Sequence, residues 1–326
     1  MIKMEAKNPL VTVAVATYNS SRTVCATLES IKRQTYPYIE LIISDDASTD
    51  DTVEVCNEWL IKNKDRFVGT NIITVTNNTG VAANSNRIVQ SINGVYYKGI
   101  AGDDCLLDDC IEKNVKYIEG KPEVAVLFSK CYLFCNKNNQ NVRIGEMPSQ
   151  YGIDMLAMPA EQQKIVLYYG LFIPTPTFFM RTSLFDKFRY DERYDAFEDL
   201  PFFTKLTEHG IKLYYMDEYT VMYRIEDSVS HPSVKLENER MWISYNKYFY
   251  DNTLDKIKHA YPEIYRYKKA RIMLADFRLY VLNNKNTKIN HLLSFLFRQF
   301  LKKSLSIDER DIINLVRKYT HGNIEK

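Results

Sequence analysis

The 326-residue chain predicts an α/β fold, an open and mostly parallel sheet with helices on both faces, continued by a C-terminal helical extension. Two observations predict it. Short β-branched runs alternate with stretches of helical spacing from Val11 to Ile118, the signature of successive strand–helix units. From about Val234 onward, charged and apolar residues mix at helical spacing with no new strand-like run, so a soft boundary falls near residue 232, with 1–232 on one side and a basic helical region, 233–326, on the other.

In order along the chain, Val11 to Ala16 reads as a strand, followed by a polar turn and by Val24, Leu28 and Ile31 at helical spacing. Ile39 to Ser44 is a second strand. Asp50 and Asp51 then suit a helix start, and Val53 to Trp59 fit the helix itself. Ile72 to Thr76 supplies a third strand, Val81 to Ile92 a helix, Val95 to Ile100 a fourth strand and Leu107 to Ile118 a further helix. Beyond Cys131 the pattern loosens. Asn136 to Asn141 is a polar loop of the hairpin-tip kind, Ala160 to Tyr169 a helix, Thr177 to Met180 a strand, Glu198 to His209 a helix, and Ile211 to Arg224 extended chain.

A hydrophobic fraction of 45% with 26% charged residues is ordinary globular usage and excludes a disordered chain. Met1 to Asn8 lacks the apolar stretch of a signal peptide, and no run approaches the roughly 18 apolar residues of a membrane span, so the expected location is the cytoplasm. The six cysteines show neither C-x-x-C spacing nor a histidine cluster, which reads as reduced, mostly buried thiols rather than a zinc site. The net charge of +2 hides an asymmetry: residues 1–234 hold 24 Lys and Arg against 31 Asp and Glu, whereas residues 235–326 hold 19 against 10. An acidic front argues against nucleic acid as substrate, because phosphate backbones are held by Lys and Arg.

Ligands of open parallel sheets bind beyond the carboxyl ends of the strands. The residues expected there are Thr17-Tyr18-Asn19-Ser20, Asp45-Asp46-Ala47-Ser48, Asn77-Asn78-Thr79-Gly80 and Gly102-Asp103-Asp104, which brings two acidic pairs to one crevice. No G-x-x-x-x-G-K-[ST] and no G-x-G-x-x-G follows the first strand, so backbone cradling of phosphates is not indicated. A divalent cation held by one or two carboxylates and completed by substrate phosphates fills that need, and Asp103-Asp104 fits it, against the plainer reading of a solvated turn. Asp45-Asp46 precedes Ser48-Thr49-Asp50, a group a helix cap would also explain. Two successive carboxylates ahead of the cap suit acceptance of hydrogen bonds from a base or ribose. Tyr18 can stack on a base or simply pack. Glu198-Asp199 opens a helix with Pro201 in its first turn; the pair either complements the helix N-terminus or supplies a general base for an attacking hydroxyl.

Taken in order, these elements resemble the family 2 glycosyltransferases of GT-A fold over roughly residues 9–230. Val13 to Asn19 is similar to the family's first strand and loop, and Ile42 to Asp50 to its "V-D-D-G-S-x-D" segment. Asn78 to Ala83 with Asn86 is similar to its Gly-containing loop, Gly102-Asp103-Asp104 falls where its D-x-D motif lies, and Phe197-Glu198-Asp199 is similar to its "E-D" segment. The resemblance implies transfer of a sugar, with inversion, from a nucleotide-diphosphate donor, a UDP-sugar by expectation, to a glycan or lipid-linked acceptor in surface polysaccharide assembly. It implies donor contacts from Thr17, Tyr18, Asn19, Asp45, Asp46, Gly80, Asn86 and Asp103, a divalent cation (Mn2+ or Mg2+) on Asp104 with Asp103, and acceptor activation by Asp199 with Glu198. His231, after Ser228-Val229-Ser230, is a further candidate for the metal or phosphates, with a structural role as its alternative. Two positions depart from the pattern. The leading Asp of the longer "D-S-D-D" form is Ala101, and the basic residue before Asn86 is Ser85; Arg87 follows on a predicted helix, where a solvent-facing position is open to it.

A sugar nucleotidyltransferase shares the sheet and the metal but calls for a Gly-rich basic first loop, which Ala16-Thr17-Tyr18-Asn19 is not. A non-catalytic binding subunit is the other alternative, on account of Ala101. In the tail, Leu292, Phe295, Leu296 and Phe300 share an apolar face, with Ser294, Arg298 and Lys302 on another stripe. A core-facing helix is the first reading, and attachment to an anionic membrane surface the second.

Overall fold

Two neighbouring strands in the parallel half of the sheet have every side chain withdrawn from solvent or nearly so, and the architecture follows from covering them. The computed structural model describes residues 8–137, 140–170, 173–225, 239–307 and 309–321. It forms two compact units interleaved along the chain: Met1–Pro148, Ile173–Tyr190 and Ile211–Arg224 make the first, and Ser149–Phe172, Asp191–Gly210 and Ile225–Lys326 the second.

The first unit holds β1 (Val11–Thr17), α1 (Val24–Lys32), β2 (Ile39–Asp45), α2 (Thr52–Asn63), β3 (Gly69–Thr74), α3 (Val81–Gln90), β4 (Tyr96–Ala101), β5 (Cys105–Leu106) and α4 (Cys110–Ile118). It continues with β6 (Val126–Lys137), β7 (Gln140–Met147), β8 (Phe179–Arg181) and β9 (Leu213–Arg224). Among the described residues these nine strands form one sheet in the order β3-β2-β1-β4-β8-β6-β9-β5, with β7 paired to β6. The β3-β2-β1-β4 half is parallel throughout. In the other half β6 runs parallel to β9, while β8, β7 and β5 pair antiparallel with their neighbours. Strand order therefore reverses between β1 and β4, the place where such sheets open a ligand crevice.

Alternate side chains of a strand face opposite sides, so burial of all of β2 means that both sides are covered. The odd-numbered residues Val11, Val13, Val15, Ile39, Leu41 and Ile43 join one core with Val24, Leu28 and Ile31 of α1, Cys56 and Trp59 of α2, and Ile111, Val115 and Ile118 of α4. The opposite side is more polar. There Ser44 Oγ donates to Asn84 Oδ1 of α3 at 2.5 Å and Asn84 Nδ2 returns a bond to the Ser44 carbonyl at 3.0 Å.

β3 differs from expectation in running from Gly69 rather than Ile72, because its extent is set by pairing with Glu40 to Asp45 of β2 rather than by its own half-exposed residues. α4 starts at Cys110 rather than Leu107, since Cys105 and Leu106 are taken up by pairing with β9. All six cysteines are free, as expected, with Cys25 exposed and Cys105 half-buried.

The second unit is helical: α5 (Gln150–Ala157), α6 (Ala160–Tyr169), α7 (Asp199–Glu208), α8 (Glu239–Tyr248), α9 (Leu254–Ala260), α10 (Pro262–Asp276), α11 (Lys288–Phe300) and α12 (Glu309–His321). Tyr168 of α6 donates to Glu208 of α7 at 2.7 Å. Ile312, Ile313 and Val316 of α12 are buried in a helix that packs on α5 and α6. Lys268 of α10 is enclosed among aromatic rings, donating to the Tyr245 hydroxyl at 2.7 Å with its ammonium 4.0 Å from the centre of the Phe249 ring; burial pushes its pKa well below the usual lysine value. The core-facing reading of α11 is overturned: Leu292, Phe295, Leu296 and Phe300 are 58%, 55%, 54% and 80% exposed, and the helix packs through Ser294, Phe297 and the following Leu301 instead. No helix among the described residues is long and apolar enough to cross a membrane.

Candidate active site

Parallel pairing in register places Thr17 of β1 beside Asp45 of β2, and Ala16 of β1 beside Ala101 of β4. The loops that follow these strands therefore leave from one edge of the first unit, and hydrogen bonds lace them together. Asp46 N donates to the Thr17 carbonyl and Gly102 N to the Ala16 carbonyl, each at 3.0 Å. Thr23 Oγ1 donates to the Gly102 carbonyl at 2.8 Å.

The predicted residues that the structure describes have definite places. Asp45 organises its own turn: its carboxylate accepts from Thr17 Oγ1 at 2.9 Å, Ser48 N at 2.8 Å and Ser48 Oγ at 2.5 Å. Asn19, at φ 51°, accepts from Thr49 N through its side chain at 2.8 Å. Its own N–H donates to Ser48 Oγ at 2.8 Å, so the first two loops are stitched together. Tyr18, next to it, is 46% exposed, with its ring open to a stacking partner.

Asp46 is buried and saturated by protein. Its carboxylate accepts from Thr79 N at 3.1 Å, Thr79 Oγ1 at 2.7 Å, Gly80 N at 2.8 Å and Arg87 at 2.6 Å. Burial alone would raise its pKa, but the bonds from Thr79, Arg87 and Gly80 outweigh that and hold it below the ordinary value. Arg87 thus turns inward to Asp46 rather than out to solvent. Gly80, at φ 90°, adopts the left-handed backbone that aims its N–H at Asp46. Asn86 commits both ends of its amide to the backbone of Tyr190, donating to its carbonyl at 3.0 Å and accepting from its N–H at 3.1 Å.

Asp103 and Asp104 differ sharply. Asp103 is half-buried, whereas Asp104 is 1% exposed and accepts from Arg224 N at 2.8 Å. Burial first, then the charge of Asp103, pushes the Asp104 carboxyl well above the usual range, against the pull of the Arg224 N–H and of Lys98. Arg224 Nε also donates to the Asp103 carbonyl at 2.9 Å. Lys98, wholly buried on β4, donates to the carbonyls of Pro176 and Phe178, and burial lowers its pKa to about 8. Adjacent carboxylates at a strand end suit the protein's share of a magnesium-like site, which needs one or two carboxylates with diphosphate oxygens and water completing the shell. Among the described residues no group of three metal-ligating side chains forms. His231 lies outside the described residues.

In the second unit, Glu198 occupies the N-cap position of α7 without a side-chain capping bond, and Asp199 is the first residue of the helix. Burial, then the charge of Asp199, raises the Glu198 carboxyl to about 8. The ring of Phe197 lies 5.7 Å from that of Tyr245 and 5.8 Å from that of Tyr248. Lys98 and Arg224 were not singled out as site residues from the sequence. A lysine inside an apolar strand was the available signal for the first, and the Tyr223-Arg224 pair for the second.

The family model described as "Glycosyl transferase family 2" matches residues 12–189. The chain belongs to glycosyl transferase family 2. It is 35% identical over 126 residues to UDP-Glc:alpha-D-GlcNAc-diphosphoundecaprenol beta-1,3-glucosyltransferase WfaP of Escherichia coli, across 38% of this chain and 47% of WfaP. The structure of S. aureus TarS 1-349 in complex with UDP-GlcNAc shares its fold at a TM-score of 0.54 and 15% identity, covering 96% of this chain and 92% of that one. The mannosyltransferase PcManGT from Pyrobaculum calidifontis, in complex with GDP-Man and Mn2+, does so at 0.53 and 15%, covering 98% and 76%. The fold is GT-A, with the C-terminal helices added.

Two outcomes follow. Ala47 sits at φ 64°, in the left-handed region where a Cβ is disfavoured and where the family pattern has Gly. Ala47→Gly is expected to relieve about 1 kcal/mol of that strain, offset in part by a freer unfolded chain, and to raise the urea midpoint; an unchanged or lower midpoint contradicts it. For Glu198, the native state keeps a proton to about pH 8 that the unfolded chain releases near 4.5, so its contribution to stability is full below the lower value and lost as pH rises through the upper. In thermal melts from pH 4 to 9, wild type should therefore fall progressively relative to Glu198→Gln. Parallel curves would contradict the shifted carboxyl.

Proposed function

We propose that the protein is an inverting, metal-assisted glycosyltransferase that moves a sugar from a UDP-sugar to a hydroxyl of a glycan or lipid-linked acceptor in surface polysaccharide assembly. The observation that carries this reading is the register of β1, β2 and β4, which draws Asp45-Asp46 and Asp103-Asp104 to one edge of a GT-A sheet in a family 2 chain. The lipid-linked acceptor in the name of WfaP, and the UDP-sugar bound by TarS, support the substrate class. The Mn2+ beside GDP-Man in PcManGT supports the metal.

On this reading each residue has a role. Tyr18 offers its exposed face to the base. Asp45 and Asp46 shape the donor loops by holding Ser48 on one side and Thr79, Gly80 and Arg87 on the other. Of the acidic pair, Asp103 is the carboxylate that would hold the cation, since Asp104 is enclosed and already accepts from Arg224 N; this reverses the order expected from the motif. When bound, the cation supplies positive charge opposite the departing diphosphate. The acceptor oxygen forms its bond to the anomeric carbon as the bond from that carbon to the diphosphate oxygen breaks. The bonding pair leaves with the nucleoside diphosphate, and the hydroxyl proton passes to the Asp199 carboxylate. Glu198 keeps its own proton and serves as a neutral neighbour. A single displacement of this kind inverts the anomeric centre.

The test is transfer from labelled nucleotide sugars with Mn2+ to a polyprenyl-diphosphate-linked acceptor. Asp199→Asn is expected to lower turnover by roughly 10²–10⁴-fold with donor affinity retained, and Asp103→Asn to weaken Mn2+-dependent donor binding. Glu198→Gln should keep most of the activity. Pyrophosphate exchange in place of transfer, or no turnover with any donor, overturns the reading.

A further inference from the structure

Among the described residues α11 makes its contacts through one face, while an apolar stripe beside that face stays exposed. At 3.6 residues per turn, Asn290, Ser294, Phe297 and Leu301 fall on one face. That face makes the contacts within the second unit. Asn290 Nδ2 donates to the Leu282 and Lys285 carbonyls at 3.0 and 2.9 Å, Ser294 Oγ accepts from Arg278 Nε at 2.7 Å, Phe297 stacks on Phe277 at 4.3 Å, and Leu301 packs with Ala270 and Leu274. The exposed stripe, Ile289, Leu292, Leu293, Leu296 and Phe300, follows the same helical spacing beside it. These five side chains are 70%, 58%, 40%, 54% and 80% exposed. Phe295, 55% exposed, lies toward its edge.

Single exposed apolar residues are ordinary, but a continuous helical stripe of them marks an interaction surface. α12 makes the contrast: Ile312, Ile313 and Val316 are buried within the same unit and Leu315 is half-buried. The border of the exposed stripe names the occupant. By the same helical geometry Lys288, His291 and Arg298 fall with Phe295 on one flank, between the packed face and the exposed apolar arc, Lys302 follows just past the helix end, and residues 235–326 carry 19 Lys and Arg against 10 Asp and Glu. An apolar stripe edged by cations is the arrangement of a helix that lies in the plane of an anionic lipid surface, with its apolar side chains among the acyl chains and its cations at the headgroups. A protein groove would satisfy the apolar stripe alone; the cations on its border favour lipid.

We propose that α11 is an in-plane docking helix for an anionic membrane, through Ile289, Leu292, Leu293, Leu296 and Phe300. The inference rests on α11 alone and stands whether or not the transfer reaction above is confirmed. It is tested by flotation of the full chain with vesicles of phosphatidylcholine alone or with phosphatidylglycerol added, alongside sedimentation velocity without lipid. Binding to the phosphatidylglycerol vesicles is expected at more than ten times that to the neutral ones, since each basic residue near the surface contributes about fivefold. Leu292→Ser/Leu296→Ser/Phe300→Ser is expected to lose that binding at least tenfold while keeping its melting temperature, because these side chains are exposed. Lys288→Gln/Arg298→Gln/Lys302→Gln, which leaves every apolar residue in place, should lower anionic binding and leave the weak neutral binding as it was. Equal or absent binding to both vesicles overturns the proposal. So does concentration-dependent dimerisation of wild type, without lipid binding, that the serine variant abolishes, since the stripe would then serve a second copy of the chain.

Discussion

The carboxylate of Asp46 is the constraint on which the candidate donor site depends. It sits at the end of β2, almost without solvent, and would be costly to bury there alone. Two backbone N–H groups, one hydroxyl and one guanidinium converge on it, from Thr79, Gly80 and Arg87. A buried charge met in this way is tied down rather than merely tolerated, because each donor would itself lose its partner if the carboxylate left. The loop before α3 is therefore held to the loop after β2, and through Asp45, Ser48 and Asn19 the loop after β1 is held to the same frame. The edge of the sheet becomes a tied set of loops on which the candidate donor-binding side chains keep their positions.

Charge is distributed unequally over the three acidic pairs, and this separates their tasks. Asp45 and Asp46 are spent on protein donors. Asp104 is buried above its ordinary pKa, between Arg224 N–H and the field of Lys98, and leaves Asp103 as the accessible member of its pair. Burial, then the charge of Asp199, raises the Glu198 carboxyl in the third pair.

What the sequence disclosed was local. Alternation of apolar runs with helical spacing located β1, α1, β2, α2 and α3, and the polar residues after each strand marked Asp45-Asp46 and Asp103-Asp104, because strand ends are punctuated by the residues themselves. What it did not disclose depends on distant pairing. The clip between Asn86 and Tyr190 joins residues 104 positions apart, and no spacing rule reaches that far. Helical position left Arg87 two directions, and the decision lay with Asp46. An apolar stripe on α11 was plain in the sequence, but periodicity says only that such a stripe has a partner, not that α10 is met by a different face. The grouping of Ser149–Phe172 and Asp191–Gly210 with the C-terminal helices likewise follows from packing rather than from composition.

The claim that Asp46 holds the donor loops is open to one direct measurement: amide hydrogen exchange at Thr79 and Gly80 together with calorimetric affinity for UDP, in wild type and in Asp46→Ala. The account predicts that the two amides, protected in wild type, lose protection in the variant, and that UDP affinity falls at least tenfold with them. Loss of protection with unchanged affinity would contradict it, since the loops could then come free without disturbing the site they are held to form.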